Sequence, residues 1–377
     1  MSRIRVLHLI TDTDSGGAEV MLRNVATRMD RERFDSRVVS MMPPGSLAPS
    51  FAALGVDVDS LSMRRGMPDP RALWRLVGRL RAFRPHILQT WLYHADLLGS
   101  AAGCVARTPV VTWNIRNSGV DSRFGLSTRL SLRVLARISR FPAVVVANSR
   151  VGQRMHEELG YRPRAWKFLP NGFDVERFRP DADARARIRA SLGIPQEAIV
   201  AGLLARFHPS KDHRTFLEAV RLVNRPDMHY LFAGRDTEQL PALAAEVVPQ
   251  ARIHVLGERH DIPELTAALD VACSTSAFGE GFPNAIGEAM ACGVPCVATD
   301  SGDARWLIAD AGRVVPPRDP AAFAAVLREM FAMSGDERRA IGAHGRARIA
   351  SEFSIESVVR QYEDFYASLV TKGAAAG

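Results

Sequence analysis

No stretch of this 377-residue chain approaches the roughly 20 uninterrupted apolar residues that a membrane-crossing helix needs, so an integral helical membrane protein is excluded. Cysteine is scarce: Cys104, Cys273, Cys292 and Cys296 lie in or beside apolar stretches, with no Cys/His cluster at zinc spacing. A disulfide framework and a structural zinc site are thereby excluded, and a reduced, cytoplasmic setting is expected, with Cys292 and Cys296 as small core residues. The N-terminal MSRIRVLHLI has only a five-residue run where a signal peptide needs a longer one, and no small-residue cleavage site follows. It reads as a first strand. Lysine is almost missing, at Lys167, Lys211 and Lys372 only, although lysine and arginine together number 49. A single arginine therefore says little here, and a lysine says more. The net charge of +8 suits nucleic acid, anionic lipid or phosphorylated substrates. The arginines are dispersed rather than interleaved with aromatics and no recognised module occurs, which disfavours nucleic acid.

What is present is a globular composition, 47% hydrophobic and 24% charged, on a chain long enough for two cores. Short β-rich runs alternate with helical patterns. Strands are expected at Ile4 to Ile10, Arg37 to Met41, Val56 to Leu61, His86 to Trp91, Val110 to Trp113 and Ala143 to Ala147. After the first, Ala18, Met21, Leu22, Val25 and Met29 share one helical face. Periodicity breaks at Pro170, Asn171 and Gly172, and a polar run from Pro180 to Pro195 reads as an interdomain linker. Alternation restarts with strands near Ile199 to Leu204, His229 to Ala233, Arg252 to Leu256, Val271 to Ser274 and Val294 to Ala298. Helical patterns close the chain from about Pro320, Asp336 and Ile355, ahead of a TKGAAAG tail expected to fray. Strand and helix in alternation imply mostly parallel sheets covered on both faces, hence an α/β class with two doubly wound domains.

The densest local signal is STSAFGEGFPNAIGEAMACGVPCVATD, Ser274 to Asp300. A strand runs into a Gly-rich loop, Pro283 and Asn284 open a short helix, Gly293 ends it and a buried strand follows. In an open parallel sheet that loop lies at the carboxyl edge of the strands, and the helix start offers unpaired N–H groups and a positive dipole end to an anion. Glu280 precedes the helix and Glu288 lies about one turn inside it. Glu280 can reach a group just beyond bound phosphates, and Glu288 can accept two hydrogen bonds from a ribose diol. The plainer alternative is a pair of solvated carboxylates with Gly279 and Gly281 turning the chain.

This block, a Glu followed by GFPNAIG and Glu-Ala-Met-Ala-x-Gly-x-Pro, resembles the donor-site motif of the retaining glycosyltransferases of family four, which have the GT-B fold. Gly16-Gly17-Ala-Glu, ANS at Ala147 to Ser149, PNGFD at Pro170 to Asp174, ARFHPSKD at Ala205 to Asp212 and LGERHDI at Leu256 to Ile262 follow in family order. The resemblance spans nearly the whole chain. It implies two Rossmann-like domains facing each other across a cleft, an acceptor-binding domain over 1–175 and a donor-binding domain over 176–354. The helix of about 355–372 is expected to pack back on the first.

The resemblance also implies roles. Glu280, Arg206 and Lys211 would be catalytic, the two cations offsetting charge on the departing diphosphate. Glu288, Gly281, Phe282, Pro283 and Asn284 would bind the donor, with Gly257 and Arg259 in the loop over the nucleobase. At Phe232 to Asp236, Arg235 replaces a small residue, trading close backbone approach for a possible phosphate contact. Gly16 and Gly17 would let backbone approach substrate or donor phosphates. In the first domain Asn114 or Arg116, in TWNIRNS, stands where several relatives carry a histidine; an asparagine cannot act as a base, so none is assigned. His94 is a second candidate there, with capping or burial as its plainer role. Retention without a protein nucleophile implies front-face attack, the leaving phosphate oxygen taking the acceptor's proton. No cofactor and no metal are expected, the nucleotide-sugar being a co-substrate and no clear Asp-x-Asp motif lying in the relevant loop.

The expected reaction is sugar transfer from a UDP- or GDP-sugar to a lipid-linked, polysaccharide or other glycan acceptor. A nucleotide-sugar epimerase or hydrolase of the same fold, or a non-catalytic binding protein, is the alternative. Two arginine-striped helical stretches, Arg129, Arg133, Arg137 and Arg140, and Arg71, Arg75 and Arg79, could lie on anionic lipid or be ordinary surface helices. Peripheral contact with the inner face of a membrane is the corresponding expectation.

Overall fold

The computed structural model describes the chain except residues 1–2, 15, 65, 68, 117–125, 249–251 and 375–377. Ser118, the last residue of TWNIRNS, and the end of the tail lie outside the described residues. The chain divides into two compact units, Met1–Gly172 with Ile355–Gly377, and Phe173–Ser354.

The first unit runs β1 (Ile4–Ile10), α1 (Gly17–Arg28), β2 (Phe34–Ser40), α2 (Ala48–Ala53), β3 (Val58–Ser60), α3 (Pro70–Phe83), β4 (Ile87–Trp91), α4 (Tyr93–Ala106), β5 (Val110–Ile115), α5 (Leu126–Ile138), β6 (Val144–Ala147), α6 (Arg150–Glu158) and β7 (Trp166–Phe168). All pairings in its sheet are parallel, in the order β3-β2-β1-β4-β5-β6-β7. β4 and β5 are buried along their whole length, as central strands covered on both faces must be. Leu76, Leu80, Ala102, Leu132 and Leu135 of α3, α4 and α5 cover one face, and Met21, Leu22 and Phe51 of α1 and α2 cover the other.

The second unit runs α7 (Ala182–Ser191), β8 (Val200–Leu204), α8 (His213–Val223), β9 (His229–Ala233), α9 (Leu240–Val247), β10 (Arg252–Val255), α10 (Ile262–Ala267), β11 (Val271–Ser274), α11 (Asn284–Ala291), β12 (Cys296–Thr299), α12 (Ala304–Ile308), β13 (Gly312–Val315), α13 (Pro320–Ala332) and α14 (Gly335–Glu352). Its sheet is also all parallel, β10-β9-β8-β11-β12-β13. The last helix, α15 (Ile355–Ala374), belongs to the first unit, where Ile355, Val358, Tyr362 and Tyr366 join the core with α1.

Three expectations need correcting. The run from Pro180 to Pro195 is not all linker, because Ala182–Ser191 is a helix capped by the Asp181 carboxylate. Its sequence reads as polar because two arginines point inward: Arg189 is fully buried, donating to the Ala268 carbonyl at 3.1 Å and pairing with Asp270 at 2.6 Å, and Arg185 pairs with the same carboxylate at 2.7 Å. β7 and β13 were not expected, being strands of only three and four residues at sheet edges. The arginines of α3 are not a free stripe either, since Arg75 pairs with Asp69 at 2.5 Å and Arg79 pairs with Asp59 of β3.

Beneath α15 lies a buried polar layer. Asn114, fully buried at the end of β5, donates from Nδ2 to the Tyr362 hydroxyl at 3.0 Å, while its Oδ1 has no partner. His8 beside it is buried without a charge partner, which lowers its pKa to about 3 and keeps the ring neutral. Tyr362→Phe removes the oxygen that Asn114 bonds, and a loss of about 1–2 kcal/mol in urea unfolding is expected. Unchanged stability would mean that the amide is satisfied some other way.

Candidate active site

In each sheet the strand order reverses once, and ligands of open α/β sheets bind at the carboxyl ends of the strands on either side of that reversal. In the second unit the reversal falls between β8 and β11. The loop after β8 carries Arg206 and Lys211; the loop after β11 carries Glu280 and leads into α11. Two segments far apart in sequence meet there because the topology leaves no helix between those strand ends.

The two loops are fastened to each other. Pro209–Lys211 forms a 3-10 turn, and the Thr275 hydroxyl donates to the Lys211 and Asp212 carbonyls at 2.9 and 3.0 Å. The Ala277 amide donates to the Ser210 carbonyl at 2.8 Å. Asp212 holds a left-handed conformation, φ +46°, uncommon for a non-glycine residue, and its carboxylate caps α8 through Thr215. Thus fixed, Lys211 Nζ contacts Glu280 Oε1, to which the Ser276 hydroxyl also donates at 2.7 Å. Lys211 is about a quarter exposed and Glu280 less. Arg206 is exposed, with no ion pair or side-chain hydrogen bond among the described residues.

α11 has Pro283 as its N-cap, with no side-chain cap, and a helix start of that kind can receive an anion. A small pocket is lined by Lys211, Ser276, Glu280, Pro283 and Asn284. The loop is held from behind as well. Gly302, with φ +63°, packs so closely on the Gly281 and Glu280 carbonyls that a Cβ would collide with them, and the Asp303 amide donates to the Gly281 carbonyl at 2.8 Å. Phe282 turns inward, stacked on Phe173 at 6.0 Å between ring centroids. Phe173, from PNGFD, occupies the space a side chain at Gly287 would need.

Glu288 points from the third position after Ala285 into surroundings where burial pushes its pKa up to about 7, moderated by the charge of Arg177. Its carboxylate makes no hydrogen bond among the described residues. Because the folded-state value lies above the ordinary 4.5, the protein binds more protons than the unfolded chain, and stability is lost as pH rises from about 4.5 through about 7. Glu288→Gln is therefore expected to stabilise the empty protein at pH 8 by on the order of 2 kcal/mol and to change little at pH 4 to 5, read by thermal unfolding at both values.

The remaining second-unit candidates lie on neighbouring strand ends. Gly234, after β9, abuts the backbone of Ala205 and Arg206, so the glycine serves contact between loops. Arg235 is exposed, and its carbonyl accepts the Phe207 amide at 2.8 Å. Gly257 follows β10 with φ +66°, and Arg259 is held by Asp261 at 2.5 Å.

In the first unit the reversal lies between β1 and β4. Gly16 is the extended N-cap of α1, and the space its missing Cβ leaves is filled by the Glu19 carboxylate, whose pKa burial raises. Gly17 is the first residue of that helix. His94 sits in the first turn of α4, just after Leu92 with its positive φ of 74°, and burial lowers its pKa. Asn114 faces Tyr362 and is fully buried, so it presents no amide to a sugar. Arg116 is its half-buried neighbour, stacked over Trp91 at 5.1 Å with one guanidinium nitrogen unpartnered. Sequence reasoning did not single out Ser276, Thr275, Gly302, Phe173 or Gly287. Phe173, Thr275, Ser276 and Gly287 stand inside the quoted motifs, but nothing in the sequence separated their supporting roles from those of their neighbours.

Among the described residues no three His, Cys, Asp or Glu side chains stand together as a metal site would require, and no helix is long and apolar enough to cross a membrane. Two family models match the chain: "Glycosyltransferase Family 4" over residues 15–177 and "Glycosyl transferases group 1" over residues 198–333. The chain is 27% identical over 318 residues to the putative glycosyltransferase EpsF of Bacillus subtilis, covering 80% of each. It is 24% identical to an Escherichia coli UDP-Gal:alpha-D-GlcNAc-diphosphoundecaprenol alpha-1,3-galactosyltransferase, again covering 80% of each. Among solved structures, Anabaena HepE in complex with UDP superposes with a TM-score of 0.85 at 23% identity, over 97% of this chain and 100% of that one.

Proposed function

This chain belongs to the family-four glycosyltransferases of group 1, with the GT-B fold, and from that premise we propose that it transfers a sugar with retention from a nucleoside diphosphate donor seated on its second unit. The observation that carries the proposal is the convergence of Lys211, Glu280 and the uncapped start of α11 at the reversal point of the second sheet. HepE binds UDP, and the E. coli relative is named for UDP-Gal; a uridine donor is the reading they favour over a guanosine one.

The pyrophosphate sits at the α11 amides, with Arg206 and Lys211 neutralising charge as the sugar–phosphate bond breaks. Glu280, oriented by Lys211 and Ser276, faces the sugar. Glu288 takes the ribose diol, and the loop of Gly257 and Arg259 lies over the base. The acceptor hydroxyl attacks the anomeric carbon on the face the phosphate leaves, and its proton passes to the departing phosphate oxygen. Position and electrostatics then supply the rate, without a covalent enzyme intermediate and without a metal. The acceptor is a lipid-linked or polymeric glycan approaching the first unit by Gly16, Gly17 and His94.

Calorimetric titration with UDP and with GDP, each with and without chelator, tests this reading. Binding of one diphosphate unaffected by chelator is expected, weakened about tenfold by Glu288→Gln through loss of a charged acceptor. Unchanged affinity in that variant overturns the ribose assignment, and loss of binding or turnover in chelator overturns the metal-free mechanism.

A further inference from the structure

We propose that the first unit carries a separate anion site, at the amino-terminal edge of its sheet, which takes a compact soluble ligand bearing two or more linked phosphates. The inference does not depend on the donor reading.

The strand order sets β1, β4 and β5 side by side, so the residues leading into them meet at one edge. There Arg5 of β1, Arg81 and Arg84 at the end of α3, His86 before β4 and Arg107 after α4 line a single recess. Four guanidinium groups converge on it, and no aspartate or glutamate lines it with them. None of the four forms an ion pair among the described residues. Arg5 Nε instead donates to the Arg84 carbonyl at 2.8 Å, and Arg81 donates to the Val105 carbonyl at 3.4 Å. Several arginines elsewhere do find carboxylates, as Arg225 does in Asp227 and Arg313 in Glu329.

Two local reasons for arginine here fall short. The C-terminal ends of α3 and α4 attract cations, but a helix end is worth about half an elementary charge, so two ends offset about one of the four cations. Capping does not ask for the residue either. Arg84 and Arg107 are C-caps with φ of +50° and +56°, the left-handed conformation that glycine takes without strain and arginine does not. What remains is a concentration of positive charge that an anion would complete. The Arg5 amide donates to His86 Nδ1 at 2.9 Å, so a neutral ring carries its proton on Nε2 and adds one more donor.

Guanidinium forks match phosphate oxygens, and linked phosphates pack several negative charges into the space of one recess. An acidic peptide spreads its charges along an extended chain and suits a strip instead. No Phe, Tyr or Trp lines the recess to stack a base, so the phosphate chain is the part recognised.

The test is calorimetric titration of the full chain with inorganic tripolyphosphate, without divalent cations, beside orthophosphate, ATP and hexaglutamate. Tripolyphosphate can also enter the proposed donor site, so the titration is repeated on variants. Arg81→Gln with Arg107→Gln, both exposed positions, should weaken one class of site at least tenfold through loss of two charge-assisted contacts. Lys211→Met with Arg206→Gln should leave that class intact, which separates failure here from failure of the donor reading. Arg225→Gln with Arg313→Gln removes the same charge from the second unit and should not weaken it. ATP distinguishes the sources of such a chain: affinity equal to that of tripolyphosphate means the chain alone is read, and higher affinity means a nucleotide carries it. Thermal unfolding checks that each variant folds. Absence of tripolyphosphate binding in the Lys211 pair, equal weakening by the Arg225 pair, or orthophosphate or hexaglutamate binding as tightly as tripolyphosphate each overturns the proposal.

Discussion

Lys211→Met is expected to reduce kcat about 10²–10³-fold, the usual cost of removing one electrostatic stabiliser of a transition state. The magnitude follows from how the side chain is placed. It is the only lysine of the second unit, set on a 3-10 turn that Thr275 and Ala277 tie to the opposite loop. Such a charge is already oriented before the leaving group develops its own, so no reorganisation is needed at the moment of reaction. Lys211→Arg should restore little, because a planar fork cannot take the place of a compact ammonium between Glu280 and the proposed donor phosphates. Glu280→Gln should cost less by itself, and the double variant should lose less than the two single effects combined, since the two groups share one contact. Arg206, exposed, should be worth about tenfold at most. Single-turnover rates would decide; a loss below about fivefold for Lys211→Met means that the cation stabilising the leaving group is another.

Gly287→Ala should destabilise the protein by about 2–3 kcal/mol, the upper part of the range for overpacking a filled core, although alanine is the better helix former. The new methyl would overlap the Phe173 ring. That ring cannot withdraw easily: it is buried, stacked on Phe282, and its own backbone amide donates to the Phe353 carbonyl at 2.8 Å. Relief by tilting α11 would move the helix start at which the proposed donor phosphates sit, and misplacement by about 1 Å is enough for a loss near 10²-fold in turnover. Phe173→Leu in the same chain should recover most of the stability by opening room. If thermal unfolding finds Gly287→Ala as stable as wild type, the PNGFD segment does not brace the helix.

The alternation of strands and helices was legible because parallel strands buried on both faces are dominated by apolar residues, as β1, β4, β5 and β9 are despite His8, Gln89, Thr112 and Asn114 within them. The edge strands β7 and β13 were not. α7 was hidden because its buried face is made partly of arginines whose partner, Asp270, lies some 80 residues away, and hydrophobic periodicity cannot see a buried cation. At the site, Glu280 and Glu288 were legible as charges beside a Gly-rich helix start and Lys211 as a rare lysine after the first strand of the second domain, whereas the contact of Lys211 with Glu280 depends on strand order. Asn114 shows the opposite failing. A polar residue at a strand end looks like a ligand contact until the helix covering it, from the far end of the chain, supplies Tyr362.

That same helix bears on how the molecule is made. Synthesis proceeds from the first residue to the last, so a ribosome has released the whole sheet of the first unit and the entire second unit before Ile355 emerges. Until then Ile87, Trp91 and Val146 lack the Val358, Tyr362 and Tyr366 that share their core, and a nascent chain halted before Ile355 leaves them wet. Folding of the first unit thus waits on a segment made after the whole of the second, which makes translational arrest or cleavage ahead of Ile355 a hazard to residues encoded hundreds of codons upstream.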